Sequence, residues 1–281
     1  MLFVPGDQPR MLAKAQTLDA DAVILDLEDG VAAKDKRRAR DALEGALRGG
    51  LPVAGTLWVR PNALDTGWLE DDLTACLWPG VTGVVVPKVR AASEVRLVDA
   101  LVARVARDRD LGPVDMAVLI ETPSAVLAAA EIGRACTRLA ALMFGADDLA
   151  AEMGIARTES NDEVAVPRAQ VALTAHALRC EAIDIVYTRV HDEVGFHREC
   201  AEGRRLGYTG KQVIHPAQIA PANTAFSPGA DEIAWAARIV EAYEAAPRGA
   251  LVVDGRMVDA PIVAQARRVL ARARRGGAAA P

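Results

Sequence analysis

The chain has 281 residues, of which 51% are hydrophobic and 25% are charged, and its formal net charge is −5. This length fits one large α/β barrel or two ordinary domains. The sequence has no basic stripe with interleaved aromatic residues, so nucleic acid is not expected as a partner. It also has no run of the roughly 18 apolar residues that a membrane span needs, and no basic and apolar leader at its start. The four cysteines are widely scattered, as expected for reduced thiols. We therefore expect a cytoplasmic protein without a membrane anchor.

Short apolar runs alternate with helix-like stretches along most of the chain. The runs predict strands near residues 2–4, 22–26, 56–60, 83–87, 116–121, 139–144, 184–188 and 211–214. Between them, apolar residues at spacings of three and four predict helices at Lys34–Leu47, Ser93–Arg107, Pro123–Cys136 and Pro167–Glu181. Eight strands, each followed by a helix, predict a (β/α)₈ TIM barrel over residues 1–220.

An open, doubly wound sheet is the alternative architecture. Such a sheet normally carries a Gly-rich phosphate turn after its first strand, whereas the turn here is Pro5-Gly6-Asp7. The remaining residues, 221–281, follow another pattern, with helices predicted at about 229–246 and 261–274 and a short hairpin at 251–256. They predict a C-terminal helical extension that packs on the barrel or on a neighbouring subunit.

Charged residues follow five of the predicted strands. They are Asp26, Arg60, Lys88, Glu121 and the pair Asp147-Asp148. The ends of parallel barrel strands meet at the C-terminal rim, where such barrels do chemistry. Several carboxylates together with an arginine and a lysine predict a divalent-metal site for an anionic substrate.

Glu121 and Asp148 are the predicted Mg²⁺ ligands, because this ion takes one or two protein carboxylates and keeps its other positions for water and substrate. A structural explanation is open for each. Glu121 precedes Thr122-Pro123, which is a helix start that favours a nearby carboxylate. Asp147 and Asp148 follow a strand and can cap the next helix. Two adjacent aspartates on a strand point in different directions, so one direct ligand is expected from this pair.

Arg60 and Lys88 also have two interpretations each. The planar guanidinium of Arg60 suits a carboxylate or an enolate oxygen, but an ion pair with Asp26 or Glu28 would explain it equally. Lys88 is either a Schiff-base lysine or, as we prefer, a salt-bridge partner.

The segment Asp26-Leu27-Glu28-Asp29-Gly30 places three carboxylates within four residues. Carboxylates this close raise one another's pKa and can produce a base near neutrality, or they form a loop that binds cations. His215, after the eighth strand, is either a catalytic or a hydrogen-bonded rim residue.

The ordered motifs of the chain resemble those of the citrate lyase β-subunit family, within the Mg²⁺-dependent barrel aldolases. The segments that carry the resemblance are Leu2-Phe3-Val4-Pro5-Gly6-Asp7, Ile24-Leu25-Asp26-Leu27-Glu28-Asp29-Gly30-Val31, Val59-Arg60-Pro61-Asn62, Val86-Pro87-Lys88, Ile120-Glu121-Thr122-Pro123, Phe144-Gly145-Ala146-Asp147-Asp148-Leu149 and Gly210-Lys211-Gln212-Val213-Ile214-His215-Pro216.

The resemblance implies a homotrimeric barrel that cleaves a 3-hydroxyacyl-CoA thioester into an acetyl thioester and a 2-oxo acid. It implies Glu121 and Asp148 as Mg²⁺ ligands, Arg60 as the residue that holds the substrate carboxylate or enolate oxygen, and Glu28 as an active-site acidic residue. It also implies that Asp259 enters a neighbouring subunit's site as a catalytic acid or base.

Two other functions remain open at this point. The same metal site can direct water at the thioester, as in malyl-CoA thioesterases, or the chain can be a citrate lyase subunit that needs an acyl-carrier partner. The residues do not decide between citryl, citramalyl and malyl groups, since small differences in a pocket set that preference.

Overall fold

In the computed structural model, eight parallel strands pair in the order in which they occur along the chain. They are β1 (Leu2–Pro5), β2 (Ala22–Asp26), β3 (Thr56–Arg60), β4 (Val81–Val86), β5 (Asp115–Ile120), β6 (Leu139–Phe144), β7 (Glu181–Asp184) and β8 (Gly210–Lys211). A parallel bridge between Leu2 and Val213 joins the two ends of the sheet, with Phe3 N–H donating to Val213 O at 2.9 Å. The predicted (β/α)₈ barrel is confirmed, and the open sheet is excluded.

The structure describes residues 1–245 and 249–275, and the chain divides into two compact units, Met1–Ala222 and Asn223–Pro281. The helices that begin in the first unit are α1 (Pro9–Ala15), α2 (Lys36–Arg48), α3 (Leu69–Cys76), α4 (Ala92–Asp108), α5 (Pro123–Ala135), α6 (Ala146–Met153), α7 (Ala165–Leu178), α8 (Glu193–Leu206) and α9 (Ile219–Phe226). Within the described ranges, no helix is long and apolar enough to cross a membrane.

The start of α5 forms as its sequence predicts. Thr122 Oγ1 accepts a hydrogen bond from Ala125 N–H at 3.1 Å, and Pro123 takes the first helical position. This cap satisfies one of the backbone donors that a helix start leaves without a partner. It also ends β5 sharply, so that Glu121 stands between a strand and a capped helix.

Each strand from β2 to β7 contributes side chains to one buried cluster. The cluster contains Ala22, Ile24, Trp58, Val85, Ala117, Leu119, Ala141, Met143 and Ile183. All five residues of β2 are buried, as expected for a strand covered on both faces. The continuous apolar runs in the sequence therefore reflect burial on two sides.

The seventh strand differs from its prediction at 184–188, because β7 ends at Asp184. Ile185 and Tyr187 are buried, which explains their apolar character. Their carbonyl oxygens accept from side chains and not from a strand: Lys211 Nζ donates to Ile185 O at 2.9 Å, and Gln218 Nε2 donates to Tyr187 O at 2.8 Å. The apolar pattern of the sequence does not show that side-chain hydrogen bonds take the place of strand pairing at these residues.

The second unit contains α10 (Ala230–Ala245), a hairpin of β9 (Leu251–Val253) and β10 (Arg256–Val258), and α11 (Ala260–Arg275). Asp254 and Gly255 both have positive φ, 49° and 75°, as a two-residue type I′ hairpin turn requires. Its core contains Ala236, Ile239, Val253, Val258, Val263 and Ala266. The helices and hairpin lie close to their predicted positions; residue 246, the predicted end of the first helix, lies outside the described residues.

Gly83 in β4 offers a test of barrel packing. A Cβ added there would overlap the Trp58 ring and approach Asp115 O to 2.7 Å. We expect Gly83→Ala to lower the free energy of unfolding by about 1–3 kcal/mol, because a packed core must shift to admit the methyl group. Gly45→Ala is the control: no atom lies within 4 Å of the added Cβ, and alanine stabilises a helix by up to about 1 kcal/mol relative to glycine. Denaturant unfolding of both variants measures the difference, and equal stabilities would contradict the prediction.

Candidate active site

A cavity of about 400 Å³ lies at the C-terminal ends of the barrel strands. Its lining residues are Phe3, Pro5, Asp26, Asp29, Gly30, Arg60, Leu119, Glu121, Phe144, Gly145, Ala146, Asp147, Asp148, Val186, Gln212 and Ile214. Five of these side chains are carboxylates and one is a guanidinium. The rim charges therefore meet around one space.

Arg60 is held by a neighbouring strand. Asp26 and Arg60 are paired residues of β2 and β3, and Arg60 Nε and Nη2 donate to the two Asp26 carboxylate oxygens, both at 2.7 Å. Nη1 lies 3.2 Å from Glu28 Oε2, and the guanidinium stacks on the Phe3 ring at 4.7 Å. Although burial opposes the charge, these carboxylates raise the pKa of Arg60 above its ordinary value. The ion pair that the sequence left open is present, and Arg60 also lines the cavity.

The acidic loop after β2 divides its carboxylates between two environments. Glu28 is 5% exposed, does not line the cavity and contacts Lys88 Nζ at 2.6 Å. Burial raises the pKa of Glu28. Asp29 is largely exposed and lines the cavity; although burial opposes it, contacts with Glu28 and Lys88 lower the pKa of Asp29. Glu28, the residue predicted from the sequence, thus contacts the cations Arg60 and Lys88 without lining the cavity. Asp29 is the carboxylate of this loop that lines it.

Lys88 joins the acidic loop to the later strands. Its ammonium lies 3.0 Å from Asp29 Oδ1 and 3.4 Å from Asp148 Oδ1. Although partial burial opposes the charge, contacts with Glu28 and Asp29 raise the pKa of Lys88. A Schiff-base lysine needs the neutral amine, so the geometry favours the salt-bridge interpretation.

Glu121 is almost fully enclosed, with 1% exposure. Its Oε1 accepts from Lys88 N–H at 2.7 Å, and its Oε2 faces Gly145, where an added Cβ would overlap it. Burial, and secondarily the Asp148 carboxylate, raises the pKa of Glu121 to about 8. A glycine at 145 is needed for this close approach.

The two aspartates after β6 lie in the first turn of α6, and not at the end of a strand. Asp147 Oδ1 accepts from Arg157 Nε at 2.9 Å, whereas Asp148 faces Lys88. The two carboxylates therefore have different partners, although both line the cavity.

The donor set fits a hard divalent cation. Glu121 and Asp148 line one cavity, and Lys88 contacts both, through its backbone N–H and its ammonium. Across residues 1–245 and 249–275, no three His, Cys, Asp or Glu side chains form a metal-binding group. Two carboxylates without a third ligand suit Mg²⁺, which keeps several water or substrate ligands.

Two other predicted positions are not among the lining residues. His215 is exposed, and its Nδ1 accepts from Ala217 N–H at 3.2 Å, which supports the hydrogen-bonded interpretation. All the lining residues belong to the first unit, whereas Asp259 belongs to the second. There its Oδ1 accepts from Ile262 N–H at 3.4 Å at the start of α11.

The structure adds Gln212 and Arg157 to the candidate residues. Gln212 lines the cavity, and Arg157 holds Asp147. Gln212 occurs in one of the sequence motifs, but a glutamine beside a short strand carries no signal of its own. Arg157 lies in a polar loop that no pattern distinguishes.

The fold is a (β/α)₈ barrel, and enzymes with this fold have their active site at the C-terminal rim. The family model described as HpcH/HpaI aldolase/citrate lyase matches residues 1–216. The chain belongs to this family, which confirms the resemblance seen in its motifs.

Three relatives illustrate the range of the family. The citrate lyase subunit beta of Escherichia coli K12 is 35% identical over 282 residues, which cover 99% of this chain and 93% of that protein. A (3S)-malyl-CoA thioesterase of Cereibacter sphaeroides is 38% identical over 276 residues, covering 97% and 93%. The crystal structure of CitE from Mycobacterium tuberculosis in complex with magnesium, acetoacetate and coenzyme A is 34% identical, with a TM-score of 0.81 and coverage of 97% and 96%.

The raised pKa of Glu121 predicts a pH-dependent stability. A carboxyl group whose pKa is near 4.5 when unfolded and about 8 when folded stabilises the fold below the lower value, and that contribution is lost as the pH rises through the higher one. We expect the unfolding free energy in EDTA to fall between about pH 5 and pH 9, relative to Glu121→Gln, by up to about 5 kcal/mol at roughly 1.4 kcal/mol per pKa unit.

Denaturant unfolding at several pH values measures this difference. Glu131→Gln, at an exposed position on α5, is the matched control and should follow the wild type at every pH. A constant difference between wild type and Glu121→Gln would contradict the prediction.

Proposed function

We propose that this chain is a Mg²⁺-dependent carbon–carbon lyase that cleaves a 3-hydroxyacyl-CoA thioester into an acetyl thioester and a 2-oxo acid. The observation that carries the proposal is Glu121, a buried carboxylate that faces a cavity shared with Asp148 and Arg60. Family membership supports it, as does the relative that binds magnesium, acetoacetate and coenzyme A.

In this proposal Glu121 and Asp148 hold the metal ion. When bound, Mg²⁺ supplies a Lewis acid for the hydroxyl and carboxylate oxygens of the substrate. Arg60 uses two of its N–H groups on Asp26 and directs Nη1 to Glu28, and a guanidinium has five N–H groups. Arg60 can therefore also donate to a substrate oxygen that gains negative charge during cleavage. Glu28 positions Arg60 and Lys88 through its two carboxylate oxygens.

Cleavage also needs a group that takes the hydroxyl proton. We propose Asp259 for this role, delivered from a neighbouring subunit of a homotrimer. Its support is the segment Gly255-Arg256-Met257-Val258-Asp259-Ala260-Pro261, which resembles the C-terminal motif of the family. Asp259 also lies at the start of α11, where Val263 N–H donates to Asp259 O at 3.0 Å.

Two other activities have support from particular relatives. The malyl-CoA thioesterase of Cereibacter sphaeroides supports hydrolysis of the thioester at the same site. The citrate lyase subunit beta of Escherichia coli supports the alternative of a subunit that acts within a complex, for which an acyl-carrier protein is the proposed partner.

An assay with two separate readouts distinguishes these activities. The purified chain is incubated with Mg²⁺ and malyl-, citramalyl- or citryl-CoA, and 2-oxo acid and free thiol are followed separately. We expect 2-oxo acid without thiol, because the acetyl product keeps its thioester bond. Thiol without 2-oxo acid would establish a thioesterase, and activity that appears only with an acyl-carrier protein would establish a dependent subunit.

Variants of the same assay test the metal site. Glu121→Gln and Asp148→Asn should each lose more than about a hundredfold in kcat/KM, since even the outer partners of metal ligands contribute 10–100-fold. EDTA should have the same effect on the wild type. Glu131→Gln, on the exposed face of α5, should retain full activity.

The trans role of Asp259 predicts complementation. Glu121→Gln and Asp259→Asn are expected to be inactive separately. Co-expressed with different tags and purified as mixed oligomers, they should regain about a quarter of the wild-type activity, because random closed assembly joins an intact Glu121 to a neighbour's intact Asp259 at that frequency. Mixed oligomers without activity, or a monomer in solution, would contradict the trans arrangement.

A further inference from the structure

Gln212 is a buried cavity residue that the proposed chemistry leaves without a role. It follows β8, is 3% exposed and lines the cavity. Its Nε2 donates to Phe144 O at 2.9 Å and to Asp184 O at 3.0 Å. Both partners are backbone carbonyls, which only accept, so only the NH₂ end of the amide can face them. The orientation of the amide is therefore determined by its partners.

The carbonyl end of the same amide has no protein partner. In the described part of the chain, no N–H or O–H group donates to Gln212 Oε1. Gln218, equally buried, shows the ordinary arrangement: its Nε2 donates to Tyr187 O, and its Oε1 accepts from Ile214 N–H at 3.0 Å. Among the described residues, the fully enclosed polar side-chain atoms without a partner are Asp7 Oδ1 and Arg40 Nη2, so Oε1 of Gln212 keeps accessible surface. Since Gln212 lines the cavity and its nitrogen faces the backbone, Oε1 is the atom presented to a ligand.

The position of this acceptor relates it to the predicted metal ligands. Phe144, one of its two backbone partners, precedes Gly145, whose N–H donates to Ile120 O at 3.1 Å and which lies against Glu121. The two hydrogen bonds of Gln212 therefore join the ends of β6 and β7 beside the backbone that encloses Glu121. The acceptor is fixed to the same rigid rim as the proposed metal site.

The neighbouring groups define what Oε1 can bind. The other polar side chains of the lining are five carboxylates and Arg60. A carboxylate or a thioester carbonyl of the ligand only accepts hydrogen bonds, so neither can satisfy Oε1. The acyl part of a 3-hydroxyacyl thioester has one donor, its hydroxyl group.

On the basis of the proposed function, we propose that Gln212 is a substrate-binding residue whose Oε1 accepts a hydrogen bond from the substrate's 3-hydroxyl. The contact requires the hydroxyl proton, so it recognises the hydroxy acid and is absent with the 2-oxo acid product. Because the hydroxyl has a single proton, this contact orients the bound substrate and breaks when the proton passes to Asp259.

Binding measurements test this contact without turnover. Calorimetry with Mg²⁺ compares malate, which carries the hydroxyl, with succinate, which lacks it, on the wild type, Gln212→Leu and the length-matched Gln212→Met. We expect the wild type to bind malate more tightly than succinate. In both variants this ratio of affinities should fall about tenfold, which corresponds to the loss of one buried hydrogen bond. Gln170→Leu is the control. Gln170 lies on α7 and does not line the cavity, and the substitution removes the hydrogen bond that its Nε2 donates to Val126 O at 2.7 Å.

Three results would overturn the proposal. The first is a wild type that binds malate no better than succinate. The second is a folded Gln212 variant that keeps the wild-type preference for malate. The third is a loss of affinity for free CoA in the variants with an unchanged preference for malate, which would assign Oε1 to an amide of the pantetheine arm. If the wild type cleaves none of the thioesters, the proposed function fails, whereas wild-type cleavage with unaltered Gln212 variants rejects only the role of Gln212.

Discussion

The pairing of Asp26 with Arg60 is the interaction on which the rim of the barrel depends. Both residues end their strands, and the register of β2 with β3 places them side by side. The two Asp26 oxygens also accept from Glu28 N–H and Gly30 N–H, both at 2.8 Å. A single carboxylate thus orients the arginine and folds the acidic loop. Buried ion pairs add little net stability, but removing one partner leaves an uncompensated charge, so the pair acts chiefly to define geometry.

Lys88 extends this arrangement to the other side of the cavity. Its φ of 52° is left-handed, a conformation that disfavours a non-glycine residue by about 1–2 kcal/mol. The same conformation accompanies a backbone N–H that donates to Glu121 and an ammonium that contacts Glu28 and Asp148. Local backbone strain of this kind persists where surrounding contacts determine it, often at functional sites. The charged residues that line the cavity, apart from Asp147, are therefore joined in one network with Lys88 and Glu28.

A second polar network lies beneath the ends of β7 and β8. The chain of contacts runs from Arg168 through Asp184, Lys211, Glu199, Asn161 and Arg157 to Asp147. Most of its members are buried and paired, which makes such a network rigid. Its last contact reaches the first turn of α6, next to Asp148. The helix that carries a proposed metal ligand is thus anchored to the ends of the next two strands, β7 and β8.

The sequence by itself determined the barrel, the strands whose ends carry charge, the cap at Thr122 and the hairpin turn at Asp254-Gly255. These features depend on local periodicity and on the backbone preferences of single residues, which a sequence displays directly. Only the tertiary structure decided that Asp29, and not Glu28, borders the cavity, that β7 ends at Asp184, and that Gln212 lines the cavity with its amide nitrogen on the carbonyl of Phe144. Those outcomes depend on which distant carbonyls and charges each side chain meets, and these partners come together only when the barrel closes.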